Sequence, residues 1–327
     1  MTTGSEGAAG PEPIRLRTAS DLKRARIDRV LVGLLPQLSR THIKELIDGG
    51  HVHLNGASIR RAGDLIEGEC EFVVTLAPRR NLRIEPGDPS ALTVLHEDEA
   101  LIVIDKPPGM LAHPTESARG NSVAELAALR FGPLPALQGD DRPGVVHRLD
   151  AGTSGVMVLA RTRDAFVALM QQFRARTVEK TYNALSYGEP RFETGWIDAP
   201  ITRDPRDSGR MALAAPGEGR EARTFYRVLE RFAGLALLEA QPKTGRTHQI
   251  RVHLTSIGMP LVGDKLYRRK GGHSIQLPRT APIPARQCLH ARAITLEHPT
   301  SGARVTYEAP LAADFAAMLE WLRSGAL

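Results

Sequence analysis

Asp150 stands in GVVHRLDAGTSGVMVLA (Gly144 to Ala160), two residues after Arg148, in a short polar turn that runs into an apolar stretch, Val156 to Ala160. A carboxylate so placed either caps its turn or is held ready as a nucleophile, a base or an electrostatic partner. Two more polar clusters have the makings of a site. EKTYNALSYG (Glu179 to Gly188) sets Tyr182 in apolar and aromatic surroundings, and KTGRTHQIRVHL (Lys243 to Leu254) alternates polar donors with Ile250, Val252 and Leu254. Singly, each has a plain reading: a turn-capping aspartate, a tyrosine at a core edge, and an arginine, Arg251, on the surface or in a structural ion pair.

Several chemistries are excluded. Ser154 lies near His147 and Asp150, but the GxSxG elbow of hydrolases is missing, because Val156 stands where its last glycine belongs. His147, His248 and His253 fit no common metal spacing, and no Cys or Glu completes a set. No Walker motif, GxGxxG fingerprint or HExxH pattern occurs. No metal and no cofactor is expected. Thr153 and Ser154 are expected to hydrogen-bond the turn that aims Asp150.

The elements that must position these residues read as follows. Thr93 to Glu97 and Leu101 to Asp105 are strand-like, with KPPG (Lys106 to Gly109) as a turn, and Asp164 can cap a helix with Phe166, Leu169, Met170 and Phe173 inward. Leu235 to Gln241, Gln249 to Leu254 and Arg292 to Leu296 read as strands or strand-helix borders. The fold class is α+β, with flanking helices on a mixed sheet.

The N-terminal part is different in texture. Ile27, Val30, Leu31, Leu34 and Leu35 form one helical face that Pro36 ends; Ser39 can cap a second helix with Ile43, Leu46 and Ile47 inward, stopping at Gly49-Gly50. His51 to Leu54 alternates like a strand and Asn55-Gly56 is a hairpin signal. Arg15 to Arg61 holds ten Lys/Arg against four Asp/Glu, an excess equal to the +6 of the whole chain. Positive charge concentrated on a small module suits a phosphate backbone.

At 327 residues, 42% of them hydrophobic, the chain has length for two or three domains, and no apolar run approaches a membrane span. Met1 to Pro13 lacks the basic start and apolar core of a signal peptide and reads as a disordered tail. The two cysteines, Cys70 and Cys288, make no CxxC pair and are expected as small packed groups in a reducing cytoplasm. Nothing marks a dedicated interface, so a monomer is expected.

Helix, capped helix and a hairpin ending in VHLNG resemble the S4 RNA-binding module, whose second helix and following loop face RNA. Arg40 and Lys44, one helical turn apart, match its basic face. The three polar clusters resemble, in order, the signature of the RluA-type pseudouridine synthases. The likeness extends through IDKPPGMLAHP (Ile102 to Pro114), GMPLVGDKLY (Gly258 to Tyr267) and LHARAITLEHP (Leu289 to Pro299). It departs at Asp105, where Asn is frequent, and at Arg268-Arg269, where Gly is common. An S4 module ahead of the catalytic body is the layout of the large-subunit ribosomal members.

The resemblance implies a tail (1–14), an S4 domain (15–77), a linker (78–91) and a catalytic domain (92–327) built on a largely antiparallel sheet. It implies conversion of uridine to pseudouridine in RNA, with 23S ribosomal RNA as the substrate. Asp150 is then the catalytic carboxylate, Tyr182 the aromatic partner over the uracil, Arg251 the counter-ion of Asp150, and Arg148 the residue that enters the RNA where the base leaves. His147, Arg246, Lys243, Arg40 and Lys44 are expected RNA contacts. Pseudouridine formation is an isomerisation and needs no energy donor. Whether Asp150 attacks the sugar, adds to the base or assists elimination stays open at this point. The rival reading is a non-catalytic RNA-binding or ribosome-assembly factor, which would not need all of Asp150, Tyr182 and Arg251.

Overall fold

A computed structural model describes residues 13–327 except 37, 39, 77–86, 116–119, 138–140, 208, 216 and 269–274. Most of the N-terminal tail, Ser39 and much of the 78–91 segment therefore lie outside the described residues. The chain divides into two compact units, residues 1–84 with 136–143 and residues 85–135 with 144–327. Among the described residues no helix is long and apolar enough to cross a membrane.

The first unit runs β1 (Ile14–Arg17), β2 (Ala25–Arg26), α1 (Ile27–Leu34), α2 (Arg40–Asp48), β3 (Val52–Leu54), β4 (Ala57–Ser58), β5 (Leu65–Ile66) and β6 (Glu71–Val74). Ile27, Leu31 and Leu35 from the first helical face meet Ile43, Leu46 and Ile47 from the second over Phe72, which is fully buried. The sheet order is β1-β6-β3-β4, with a separate β2-β5 pair. Asn55 and Gly56 join β3 to β4 with φ of 48° and 84°, the left-handed pair that a two-residue hairpin turn requires. Cys70 is free and packed in this core.

The second unit opens with a 3-10 turn, Pro89–Ala91, that Asp88 caps through the Ser90 N–H. It continues with β7 (Thr93–Glu97), β8 (Leu101–Lys106), α3 (Val123–Phe131), β9 (Ser154–Ala160), α4 (Arg163–Ala175) and β10 (Glu179–Tyr187). Next come β11 (Thr194–Asp198), β12 (Ile201–Arg203), β13 (Met211–Leu213), β14 (Arg223–Phe232) and β15 (Leu235–Pro242). The last elements are α5 (Gln249–Ser256), β16 (Leu289–Glu297), β17 (Arg304–Glu308) and α6 (Ala313–Arg323). The main sheet is ordered β11-β14-β15-β10-β16-β9-β8-β7, with β17 on β16. Every pairing in it is antiparallel but one: β9 runs parallel to β16 through Ser154–His290 and Gly155–Ala291. Gly155 has φ 110°, and a Cβ there would collide with the Ala291 backbone, so the close β9–β16 contact needs glycine. Free Cys288 packs in the second unit's core beside α6.

Two expectations fail locally. Thr162, not Asp164, caps α4 by accepting from the Ala165 N–H; Asp164 lies in the first turn. Gln249 to Leu254, read as strand or border, is helical throughout. All six of its residues are buried, with Ile250 and Leu254 in one apolar cluster and Val252 in another. A helix enclosed on every side carries no one-sided stripe, so its sequence does not show the 3.6-residue period.

Candidate active site

Asp150 begins a tight turn closed by the Thr153 N–H donating to the Asp150 carbonyl at 3.0 Å. The turn is fixed from outside at successive residues. The Ala151 carbonyl accepts from the Gly109 N–H at 2.8 Å and from Lys106 Nζ at 3.0 Å, and the Gly152 carbonyl accepts from Arg286 Nη1 at 3.0 Å. Gln287 Nε2 donates to Thr153 Oγ1 at 3.2 Å, while Ser154 Oγ bonds His290 Nδ1 at 3.0 Å. The Thr153 and Ser154 side chains thus tie the loop to the β16 region, while the Thr153 N–H closes the turn itself. Lys106 is wholly buried and spends its three donors on the Pro107, Met110 and Ala151 carbonyls. Burial dominates its titration and holds the ammonium down to about 7.

The Asp150 side chain, 18% exposed, is met by Arg251 from α5: Nη1 donates to Oδ2 at 3.1 Å. Arg251 donates from its other two nitrogens, Nε at 2.8 Å and Nη2 at 3.0 Å, to Asp264. Asp264 is itself buried and accepts from the Leu266 and Tyr267 N–H groups. Asp264 therefore fixes the plane of the guanidinium, and the guanidinium presents one N–H to Asp150. Burial opposes the charge on Arg251, but the two carboxylates outweigh it and raise its pKa further. The Tyr267 ring lies 4.9 Å from the Arg251 guanidinium carbon. Its hydroxyl accepts from the Met211 N–H and bonds His248 Nδ1 at 2.9 Å, which turns His248 Nε2 toward Asp150 Oδ2 at 3.9 Å. His248 stands at the start of α5 with φ 56°, a strained conformation for a residue with a side chain.

Asp150, His248 and Arg251 line a cavity of about 440 Å³, with Asp264 and Tyr267 behind them. Tyr182 reaches it from β10 and is 9% exposed; burial first, and Asp150 second, push its phenol above the ordinary range. A phenol so placed stays protonated and offers an aromatic face. Arg148, Lys243 and Arg246 line the same cavity, Arg148 and Lys243 as exposed side chains. Arg246 is partly buried and donates from Nε to the Glu221 carbonyl at 2.9 Å. His147 also lines it but is occupied: its Nε2 accepts from the Val158 N–H at 2.9 Å, and its ring stacks on Phe173 at 4.9 Å. A nitrogen that accepts from a backbone N–H cannot carry a proton, and burial holds His147 down to about 3. Arg40 opens α2 of the first unit, its side chain outside the described residues, and Lys44 is exposed on the same helix.

The structure thus brings Asp150, Tyr182, Arg251, Arg148, His147, Lys243 and Arg246 to one cavity. Residue types alone did not mark Asp264, Tyr267, His248 or Lys106 for roles. Asp264 and Tyr267 stand in GMPLVGDKLY and Lys106 in IDKPPGMLAHP, so the signal was a motif without an assigned chemistry.

Comparison with known proteins fits this arrangement. The model of the RNA pseudouridylate synthase family matches residues 100–256, and that of the S4 domain matches residues 25–71. The chain belongs to the RNA pseudouridine synthase family. It is an RNA pseudouridine synthase of the RluA type with an S4 domain at its N-terminal end. It is 39% identical over 311 residues to ribosomal large subunit pseudouridine synthase D of Nitrosomonas europaea, covering 95% of this chain and 88% of that one. It is 44% identical to an uncharacterized RNA pseudouridine synthase of Chloroflexus aurantiacus, covering 92% and 91%. The solved human RNA pseudouridylate synthase domain containing 4 superposes with a TM-score of 0.56 at 30% identity, covering 71% of this chain and 93% of that one.

Proposed function

We propose that the protein isomerises specific uridines to pseudouridine in large-subunit ribosomal RNA, with Asp150 as the essential carboxylate and the target base extruded into the cavity. The observation that carries this reading is the Asp150 carboxylate, mostly enclosed yet open to a cavity that also holds Tyr182, and held at 3.1 Å by an arginine fixed from behind. The cavity falls within the ~300–1,000 Å³ usual for small ligands, so it suits one flipped base and not a duplex. The reaction breaks the C1′–N1 glycosidic bond, turns the uracil, forms a C1′–C5 bond, releases the C5 proton and leaves N1 protonated, so that the net change is an isomerisation. In this reading Asp150 attacks or stabilises charge as the glycosidic bond breaks, with Arg251 at 3.1 Å as its counter-ion. Tyr182 offers a stacking face for the detached ring.

A uridine within folded RNA must leave its stack to reach Asp150, at a cost of a few kcal/mol. Arg148, exposed at the cavity, is positioned to fill the vacated space. The basic residues of α2, Lys44 and Arg40, serve as RNA contacts in the S4 module. The ribosomal assignment is supported by the names of relatives such as the Nitrosomonas europaea enzyme. The monomeric state and a cytoplasmic site of action belong to this same reading. A purely RNA-binding factor is disfavoured, because a carboxylate steered by a buried Asp264–Arg251 pair is costly to keep without chemistry to perform.

The test is tritium release from ribosomal RNA labelled at uridine C5, followed by mapping of pseudouridine in cells with and without the gene. Release with loss of discrete sites in the deletion strain is expected. Absence of release from every ribosomal substrate would favour the binding-only factor.

A further inference from the structure

Lys180 lies on β10, two residues before Tyr182, and lines the same cavity. Arg251, the most buried cation of that cavity, is matched by two carboxylates, Asp150 and Asp264. Among the described residues Lys180 Nζ has one acceptor, the Thr244 carbonyl, at a long 3.4 Å. Two of its three donors are left over. A charge that acts on it is that of Lys243, of like sign. A partly buried ammonium with free donors beside a second ammonium is unfavourable until an anion joins them. Burial and Lys243 together hold the Lys180 ammonium down to about 8.

We propose that Lys180 and Lys243 form a subsite for one phosphodiester of the nucleotide being modified, separate from the Asp150–Arg251 pair that meets the base and sugar. The inference rests on the RNA-modifying function proposed above. Uracil oxygens are neutral and call for single hydrogen bonds. Two neighbouring ammoniums call for a full negative charge, which on a nucleotide is the phosphate. Lys180 and Tyr182 both line the cavity from β10, so a phosphate held at Lys180 lies on the same side as the tyrosine ring. Lys180 in this account is a binding residue.

The test compares the full-length wild type with Lys180→Gln and Lys180→Arg on a ribosomal RNA transcript that the wild type modifies. Lys180→Gln is expected to weaken binding about tenfold at low salt, as for loss of a charge-assisted hydrogen bond. It is also expected to flatten the dependence of log affinity on log salt by about 0.7–0.9, as for one lost phosphate contact. Saturating kcat should be little changed, and Lys180→Arg should restore affinity and slope. Inorganic phosphate, at matched ionic strength, should raise the Tm of the wild type more than that of Lys180→Gln. Without phosphate, Lys180→Gln should be at least as stable as the wild type, because an unpaired cation has been removed. An unchanged salt slope, a kcat loss at intact affinity, or a lowered Tm without phosphate would each overturn the subsite. A wild type that forms no pseudouridine on any ribosomal transcript would instead bring down the function beneath it.

Discussion

Arg251 gives two of its donors to Asp264, at 2.8 and 3.0 Å, and one to Asp150, at 3.1 Å. The fully buried Asp264 side chain is thus the anchor and Asp150 the working end. Removing one member of a buried pair leaves the other charge uncompensated, at about 3–5 kcal/mol. Asp264→Asn should therefore lower the unfolding free energy by a large part of that amount. It should also slow pseudouridine formation at saturating RNA, with RNA affinity nearly kept. Denaturant melts and single-turnover rates check this; unchanged stability would show that Asp264 does not carry the charge of Arg251.

His147 makes a pH prediction with a defined sign. Its folded-state pKa, about 3, lies below the ordinary value of about 6.5. Between those values the unfolded chain binds a proton that the folded chain refuses. Stability is therefore full above about pH 6.5 and falls as the pH drops toward 3, by at most about 1.4 kcal/mol per pH unit from this group. His147→Gln keeps an acceptor for the Val158 N–H and should flatten that part of the stability curve. Equal acid sensitivity in both proteins would place the proton elsewhere.

Tyr182 should not ionise with ordinary tyrosines. Burial, then Asp150, push its phenol upward, so it contributes little to the absorbance change around pH 10. Tyr182→Phe should leave that part of the spectrophotometric titration unaltered. Loss of one tyrosine equivalent there would mean that the phenol is open to solvent.

Arg148 is exposed, and its removal should change stability by no more than about 0.5 kcal/mol. If it occupies the space left by the target base, Arg148→Ala leaves equilibrium binding almost intact and slows extrusion, read from 2-aminopurine placed beside the target. Weaker binding with a flatter salt dependence, and normal extrusion, would reduce it to a phosphate contact.

The sequence made some of this legible and hid the rest for physical reasons. The one-sided faces of α1 and α2, and the Asn55-Gly56 turn, carry their own periodicity and φ requirement, so the two helices and the hairpin could be read, whereas the short strands β1, β2, β5 and β6 were not. β7, β8 and β15 were likewise visible as apolar runs bounded by turns. α5 was not, because Gln249 to Leu254 are buried on every side and each polar member has a private partner: Arg251 has Asp264 and Asp150, and His253 has Thr224 and the Ala199 carbonyl. Asp150, Tyr182 and Arg251 stood out through motifs. The anchoring role of Asp264 depends on a contact thirteen positions along the chain, between a helix and a loop, which no local pattern encodes.

The most direct measurement is pseudouridine formation by Asp150→Asn, which keeps the size of the side chain and removes its charge. Product should be absent from a ribosomal transcript that the wild type modifies, while the variant binds that transcript with wild-type affinity and keeps its fold. Pseudouridine formed at the wild-type rate would contradict the account at its centre.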